Sequence, residues 1–210
     1  MYNERRGLII GFHGCDQSKR DALLIRPYKI HKSEKPHDWL GHGVYFWENN
    51  LDRAWKWARD KEKRGEIEKA AVIGAVLSLD HCFDLLDNRF IDTIQEYYQL
   101  LKSNYEALGK KLPENKDARF DNYRDIIIRE LDCAVIELMH KTIENKIILD
   151  ENSNGFSSYK RFDSVRGVFI EGGPAYPGAG IRKKSHIQIC IRNPNCIKGF
   201  FLPRTEINFP

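Results

Sequence analysis

Apolar residues along this chain fall into two kinds of run. Residues 7–15 (GLIIGFHGC) and 70–79 (AAVIGAVLSL) are nearly continuous, small or β-branched, which is the pattern of strands buried on both faces. Residues 51–64 (LDRAWKWARDKEKR) instead place Leu51, Ala54, Trp55 and Ala58 at the three-and-four spacing of an amphipathic helix, with Asn50 able to cap it. Longer helical periods cover 89–108 and 122–146, separated by a polar, proline-containing connection at 113–116. A charged stretch starts a short helix near Lys19 that ends by Pro27, and residues 37–47 (HDWLGHGVYFW) alternate glycine with bulky side chains, a loop entering a second strand. Residues 150–158 (DENSNGFSS) predict a polar loop, 165–170 and 186–192 predict strands flanking a Gly/Pro-rich connector at 172–180, and 197–202 predicts a last strand.

The order of strands, then helices, then strands lacks the regular alternation that builds a doubly wound sheet, so the expected class is α+β. A length of 210 residues, 41% hydrophobic and 30% charged, suits one soluble domain, with the two long helices as an insertion at about 84–147. The formal charge of +4 is too small to announce nucleic-acid binding. No apolar run approaches the roughly 20 residues that span a bilayer, and the first residues lack the apolar stretch of a secretory signal, so a cytoplasmic protein without membrane contact is expected. Cys15, Cys82, Cys133, Cys190 and Cys196 show no CxxC spacing, which predicts reduced core thiols.

Several chemistries can be set aside at this level. Neither Gly41-His42-Gly43 nor Gly172-Gly173 leads from a strand into a helix with an acid about 20 residues on, so a Rossmann site is unsupported, and there is no P-loop. His31, His37 and His42 have no zinc-ligand spacing and no cysteine pair beside them, so no metal is expected. Cys15 shares strand parity with His13, which leaves a Cys nucleophile conceivable against the plainer reading of a buried thiol.

One constellation is left: Phe12-His13-Gly14 at a strand end, Gly41-His42-Gly43-Val44-Tyr45-Phe46 entering the next strand, and His186-Ile187-Gln188 on a late strand. It resembles the ADP-ribosyltransferases of the diphtheria-toxin and poly(ADP-ribose) polymerase branch. The resemblance implies a split β-sheet that grips NAD as substrate. Gly14 would offer its backbone to the nicotinamide carboxamide, Tyr45 an aromatic face for the ring, His13 a hydrogen bond to the adenosine-side ribose, and Gly43 close backbone approach. Where the family carries a catalytic Glu this chain has Gln188, which can orient a ribose hydroxyl but supplies no charge. The nearest acid, Glu171, is the candidate for activating the acceptor or balancing charge at an oxocarbenium-like ribose. Arg53 stands where the family often has a small polar residue that contacts the carboxamide. Missing the late Glu, the chain is expected to act as a mono-ADP-ribosyltransferase on a macromolecular acceptor, protein or nucleic acid. Family habit adds a toxin of a toxin–antitoxin or phage-defence system, with an antitoxin as partner.

Plainer readings stand beside these. His13 could be a hydrogen-bonded core histidine, Tyr45 an ordinary strand aromatic, Gln188 a solvent-facing strand residue and Glu171 a strand end. The run Arg182-Lys183-Lys184 is either a solvated loop or a guide for a phosphate-rich acceptor. A silent NAD- or ADP-ribose-binding module and an NAD glycohydrolase remain as alternative functions.

Overall fold

A computed structural model describes residues 4–119 and 122–204. The first strand, β1 (Glu4–Asp16), runs into α1 (Gln17–Ile25), whose first turn is capped by the Asp16 side chain on Ser18 N–H. A loop then enters β2 (Val44–Glu48), and Asn50 caps α2 (Leu51–Lys63) through Arg53 N–H. Strand β3 (Ala70–Asp84) is followed by α3 (Asn88–Ala107), the two-residue strands β4 (Asn115–Lys116) and β5 (Ile128–Arg129), and α4 (Glu130–Asn154). The chain returns through β6 (Ser164–Phe169), β7 (His186–Ile191) and β8 (Ile197–Phe201).

The class is α+β, a six-stranded mixed sheet in the order β1-β2-β7-β6-β3-β8 with helices packed against it. Among the described residues only the β3–β6 pairing is parallel. Strand β3 is long enough to change partners: Gly74–Leu77 lie between β1 and β8, whereas Cys82–Asp84 pair with β6. Because β3 also pairs with β1, the strands β1-β2-β7-β6-β3 close into a ring and β8 is added outside it.

Strand parity sorts the side chains onto two faces. Val44, Phe46, Leu77, Leu79, Ile189 and Ile191 form one buried cluster, each almost fully excluded from solvent and each contributing on the order of 1.5–3 kcal/mol by burial. On the other face, Phe12, Trp47, Ala54 and Val72 pack under α2. There too Phe83, Val165, Phe169 and Cys190 pack against Ile136 and Met139 of α4, with Phe90 and Ile94 of α3 beside them. All five cysteines are free and buried.

Three sequence expectations shift. The helix expected over 122–146 begins only at Glu130 and continues to Asn154. Asn115 decides its start by accepting hydrogen bonds from Leu131 and Asp132 N–H, a cap supplied from 16 residues upstream, while Arg124 and Ile126 adopt positive φ. The polar segment 150–158 therefore opens as helix, and the break comes at Gly155, whose φ of +77° is the left-handed stop. The 70–79 strand runs on to Asp84 because residues 82–84 find a second partner in β6. Among the described residues no helix is long and apolar enough to cross a membrane.

Candidate functional site

The pairing of Phe12 with Trp47 across β1 and β2 fixes which way each motif residue faces. His13 falls on the ring-interior side, 5.8 Å from the Phe46 ring, with Nδ1 2.8 Å from Tyr45 O. A carbonyl only accepts, so Nδ1 carries the proton and Nε2 the lone pair. Burial, with Lys19 nearby, pushes the His13 pKa down to about 4, so the ring is neutral at pH 7. Gly14 faces the opposite way, toward α2, where a Cβ would lie 2.6 Å from Ala54 O. Cys15 shares the His13 face as its parity requires, but burial raises its thiol to about 11, so it stays protonated and is no nucleophile at pH 7.

The Gly41–Gly43 loop is held at both edges. The Tyr45 hydroxyl donates to Gly41 O at 2.8 Å and accepts from Leu40 N–H at 2.9 Å, and burial raises its pKa well above the usual phenol value. From the other side, Glu137 accepts from His42 N–H at 2.8 Å and pairs with Arg192, which also donates to His42 O. Gly43 is forced by space, since a Cβ there would sit 2.5 Å from Cys190 Sγ.

Gln188 is no solvent-facing strand residue. Its Oε1 accepts from Trp39 Nε1 at 2.6 Å, and the indole reaches it by lying over Gly167, where a Cβ would come within 2.7 Å of the ring. The Arg129 guanidinium caps this aromatic floor, 4.0 Å from the Phe169 centroid and 5.0 Å from that of Trp39. Glu171 is likewise no exposed strand end: it is 7% exposed and ion-paired with Arg53 of α2. His186, on the same strand face as Gln188, lies 3.8 Å from Glu171 through Nδ1, stacks on Phe169 at 5.6 Å, and gives its Nδ1 proton to Lys184 O at 2.7 Å. Burial lowers its pKa to about 4.

Among the described residues, three buried polar atoms in this cluster have no hydrogen-bond partner: Trp47 Nε1, Arg53 Nε and His186 Nε2. The Trp47 and His186 rings are 6.2 Å apart, and Arg53 and His186 both reach Glu171. The first two atoms are donors. With Nδ1 protonated, His186 Nε2 is an acceptor. A buried polar group left unpaired costs about 1–3 kcal/mol, and these two donors and one acceptor are open to a water or to a ligand group that both accepts and donates hydrogen bonds. A primary carboxamide has that pattern.

The fold thus brings Arg53, Glu171 and Gln188 together on the face where Gly14 and Tyr45 also lie, and places the His13 side chain on the other side of the sheet. Four contributors were not read as site residues: Trp39, Trp47, Arg129 and His186. Alternation along β7 puts His186 with Gln188, and alternation along β2 puts Trp47 with Tyr45, so both were within reach of the sequence pattern. Trp39 comes from a loop and Arg129 from the two-residue strand β5, too short to show a period, so neither carries such a signal. On the ring-interior side Arg166 pairs with Glu48 at 2.5 and 2.9 Å and with Asp84 at 3.3 Å, a buried ionic cluster whose one clue was a charged residue inside the apolar strand SVRGVF.

No family model matches the chain, and no solved structure matches it. It is similar to an uncharacterized protein of Methanocaldococcus jannaschii, 24% identical over 202 residues that cover 89% of this chain and 83% of that protein.

Proposed function

We propose that the protein takes NAD as substrate and transfers its ADP-ribose to an acceptor, releasing nicotinamide. The observation that carries this reading is the trio of unpartnered atoms, Trp47 Nε1, Arg53 Nε and His186 Nε2, set beside Gln188 and Glu171. It matches the carboxamide of the leaving group in hydrogen-bond polarity, and of the motif residues that suggested NAD, Tyr45 and Gln188 share strands with Trp47 and His186.

In this reading the Trp47 and Arg53 N–H groups meet the carboxamide oxygen, and neutral His186 accepts from its NH2. The bond between the ribosyl C1′ and the nicotinamide nitrogen breaks and nicotinamide leaves neutral. The acceptor nucleophile forms the new bond to C1′ and gives up its proton. Trp39 holds the Gln188 oxygen, so the Gln188 NH2 is the end turned to a ribose hydroxyl. Glu171, freed from Arg53 when the donor binds, is the base nearest the acceptor side. His13, with Nδ1 committed to Tyr45 O and its ring on the opposite side of the sheet, has no contact with the donor in this reading and instead fixes the β1–β2 pairing that carries Tyr45.

Incubation of the protein with adenine-labelled NAD and a cell extract, followed by protease or nuclease digestion, tests transfer. Label on a macromolecule that is lost in Trp47→Phe, with circular dichroism showing the variant folded, supports the reading, and bound NAD with no label and no nicotinamide release refutes transfer. A second reading, a binding module without turnover, is favoured by one observation: both carboxyl-position candidates are engaged, Gln188 by Trp39 and Glu171 by Arg53. Release of nicotinamide without label on any acceptor would make the protein an NAD glycohydrolase.

A further inference from the structure

Beside the candidate site lies a cavity of about 310 Å³ whose chemistry differs from it. It is lined by Arg124, Arg129 and Arg182, by Ile126 and Ile170, and by the helix-capping pair Asn115 and Asp132 with Asp125. Both acids in the wall are already engaged: Asp132 accepts from Asn115 Nδ2 at 2.6 Å and Asp125 accepts from Gly172 N–H at 2.5 Å. The cations are not. Among the described residues the Arg124 and Arg182 guanidiniums have no hydrogen-bond or ion-pair partner, and Arg129 donates only to Ile126 O while lying over Phe169.

Arg129 already lies in the field of Asp132, Glu171 and Asp125, whereas the Arg124 and Arg182 guanidiniums converge on the same concavity with no contact partner, and that surplus of positive charge fits an anion with several oxygens. The rim adds something a lone phosphate does not need. Ile126 (46%) and Ile170 (53%) are large apolar side chains left in solvent, and Tyr176 (60%) is exposed on the connector that carries Arg182. Cations interleaved with exposed aromatic and aliphatic surface are what a single nucleic-acid strand uses, phosphates on arginine and bases on flat apolar faces. None of His13, Gly14, Gly43 or Tyr45 lines the cavity, whereas Ile170, the neighbour of Glu171, does.

We infer that this cavity binds the phosphate backbone of single-stranded nucleic acid and presents the strand, as acceptor, to the Glu171 side of the site. The word acceptor rests on the ADP-ribosyl transfer reading; the strand binding does not.

The test is fluorescence anisotropy of a short fluorescein-labelled single-stranded DNA, without NAD, for the wild type and Arg124→Ala/Arg182→Ala, with circular dichroism to confirm folding. The wild type should bind with log K falling in log salt by about 0.7 per phosphate contacted, and the double variant should flatten that slope by about 1.4. Its affinity at low salt should drop at least about tenfold, on the scale of two lost charge-assisted contacts. Nicotinamide release from NAD should be unchanged in the double variant. Equal strand affinity in both proteins overturns the inference, as does a loss confined to NAD, which would give the arginines to the donor pyrophosphate. Binding of a phosphoserine peptide but not of the strand also overturns it. Strand binding by a protein that never binds NAD would instead remove the transferase reading and leave this one standing.

Discussion

Replacing Arg53 by Ala should destabilise the protein far more than the loss of a surface ion pair. The side chains of Arg53 and Glu171 are only 12% and 9% exposed, and Glu171 also has His186 3.8 Å away and feels the charge of Arg129 from beyond ion-pair distance. Neutral His186 cannot balance the charge and Arg129 offsets only part of it, so the variant leaves a buried carboxylate without a contact partner, at a cost of up to about 3–5 kcal/mol, whereas an exposed pair would contribute about 0–1 kcal/mol. That is a large fraction of the 5–15 kcal/mol on which a typical domain rests. Urea unfolding at pH 7 reads it, in the wild type, Arg53→Ala, Glu171→Leu and the Arg53→Met/Glu171→Leu pair. The double variant should be much more stable than the sum of the single losses allows, because removing both charges together leaves neither uncompensated. Added salt should change the difference little, since a desolvated pair is poorly screened. If Arg53→Ala costs less than about 1 kcal/mol, or if the cycle is additive, the pair is not desolvated in solution and the nook around it is open to water.

Stability should fall with acid in a window set by histidines. His13 and His186 sit near a pKa of about 4 and His140 near about 3 in the folded protein, all below the unfolded value of 6.5. Each is neutral in both states above 6.5. As pH drops toward 4 only the unfolded chain gains the proton, so each removes up to about 1.4 kcal/mol of stability per pH unit. Unfolding free energies that stay flat from pH 7 to about 5 would contradict this, and His186→Asn should reduce the slope by about a third. Tyr45→Phe leaves Leu40 N–H and Gly41 O without their partner and should cost about 1–3 kcal/mol in chemical unfolding, a loss that an unstrained Phe would not show if the hydroxyl were solvated. Gly167→Val should push the Trp39 indole off the sheet and free Gln188, seen as a shift in tryptophan emission; an unaltered spectrum would mean that Trp39 does not depend on Gly167 for its place.

Local chemistry made much of the fold legible. Continuous apolar runs marked β1 and β3, helical spacing with Asn50 marked α2, and turn-rich polar segments marked the connector, because each of these patterns is set by neighbours within a few residues. The start of α4 was not legible, since its cap is Asn115, which reaches it across a loop. The second half of β3 was hidden for the same reason: residues 82–84 are a strand only because β6 lies beside them.

The candidate site divides along the same line. By itself the sequence determined the residue types and the strand parity: a His-Gly pair, a GxGxYF segment, a late-strand Gln in place of Glu, and an acid before the connector. Parity follows from backbone geometry alone, so it could be read without partners. Only the tertiary structure decided that Arg53 and Glu171 meet across 118 residues, that Trp39 fixes Gln188 across 149, and that the His13 ring lies on the far side of the sheet from both. Those facts depend on ring closure through β3 and on which helix covers which face, and such contacts between distant segments leave no period in the sequence.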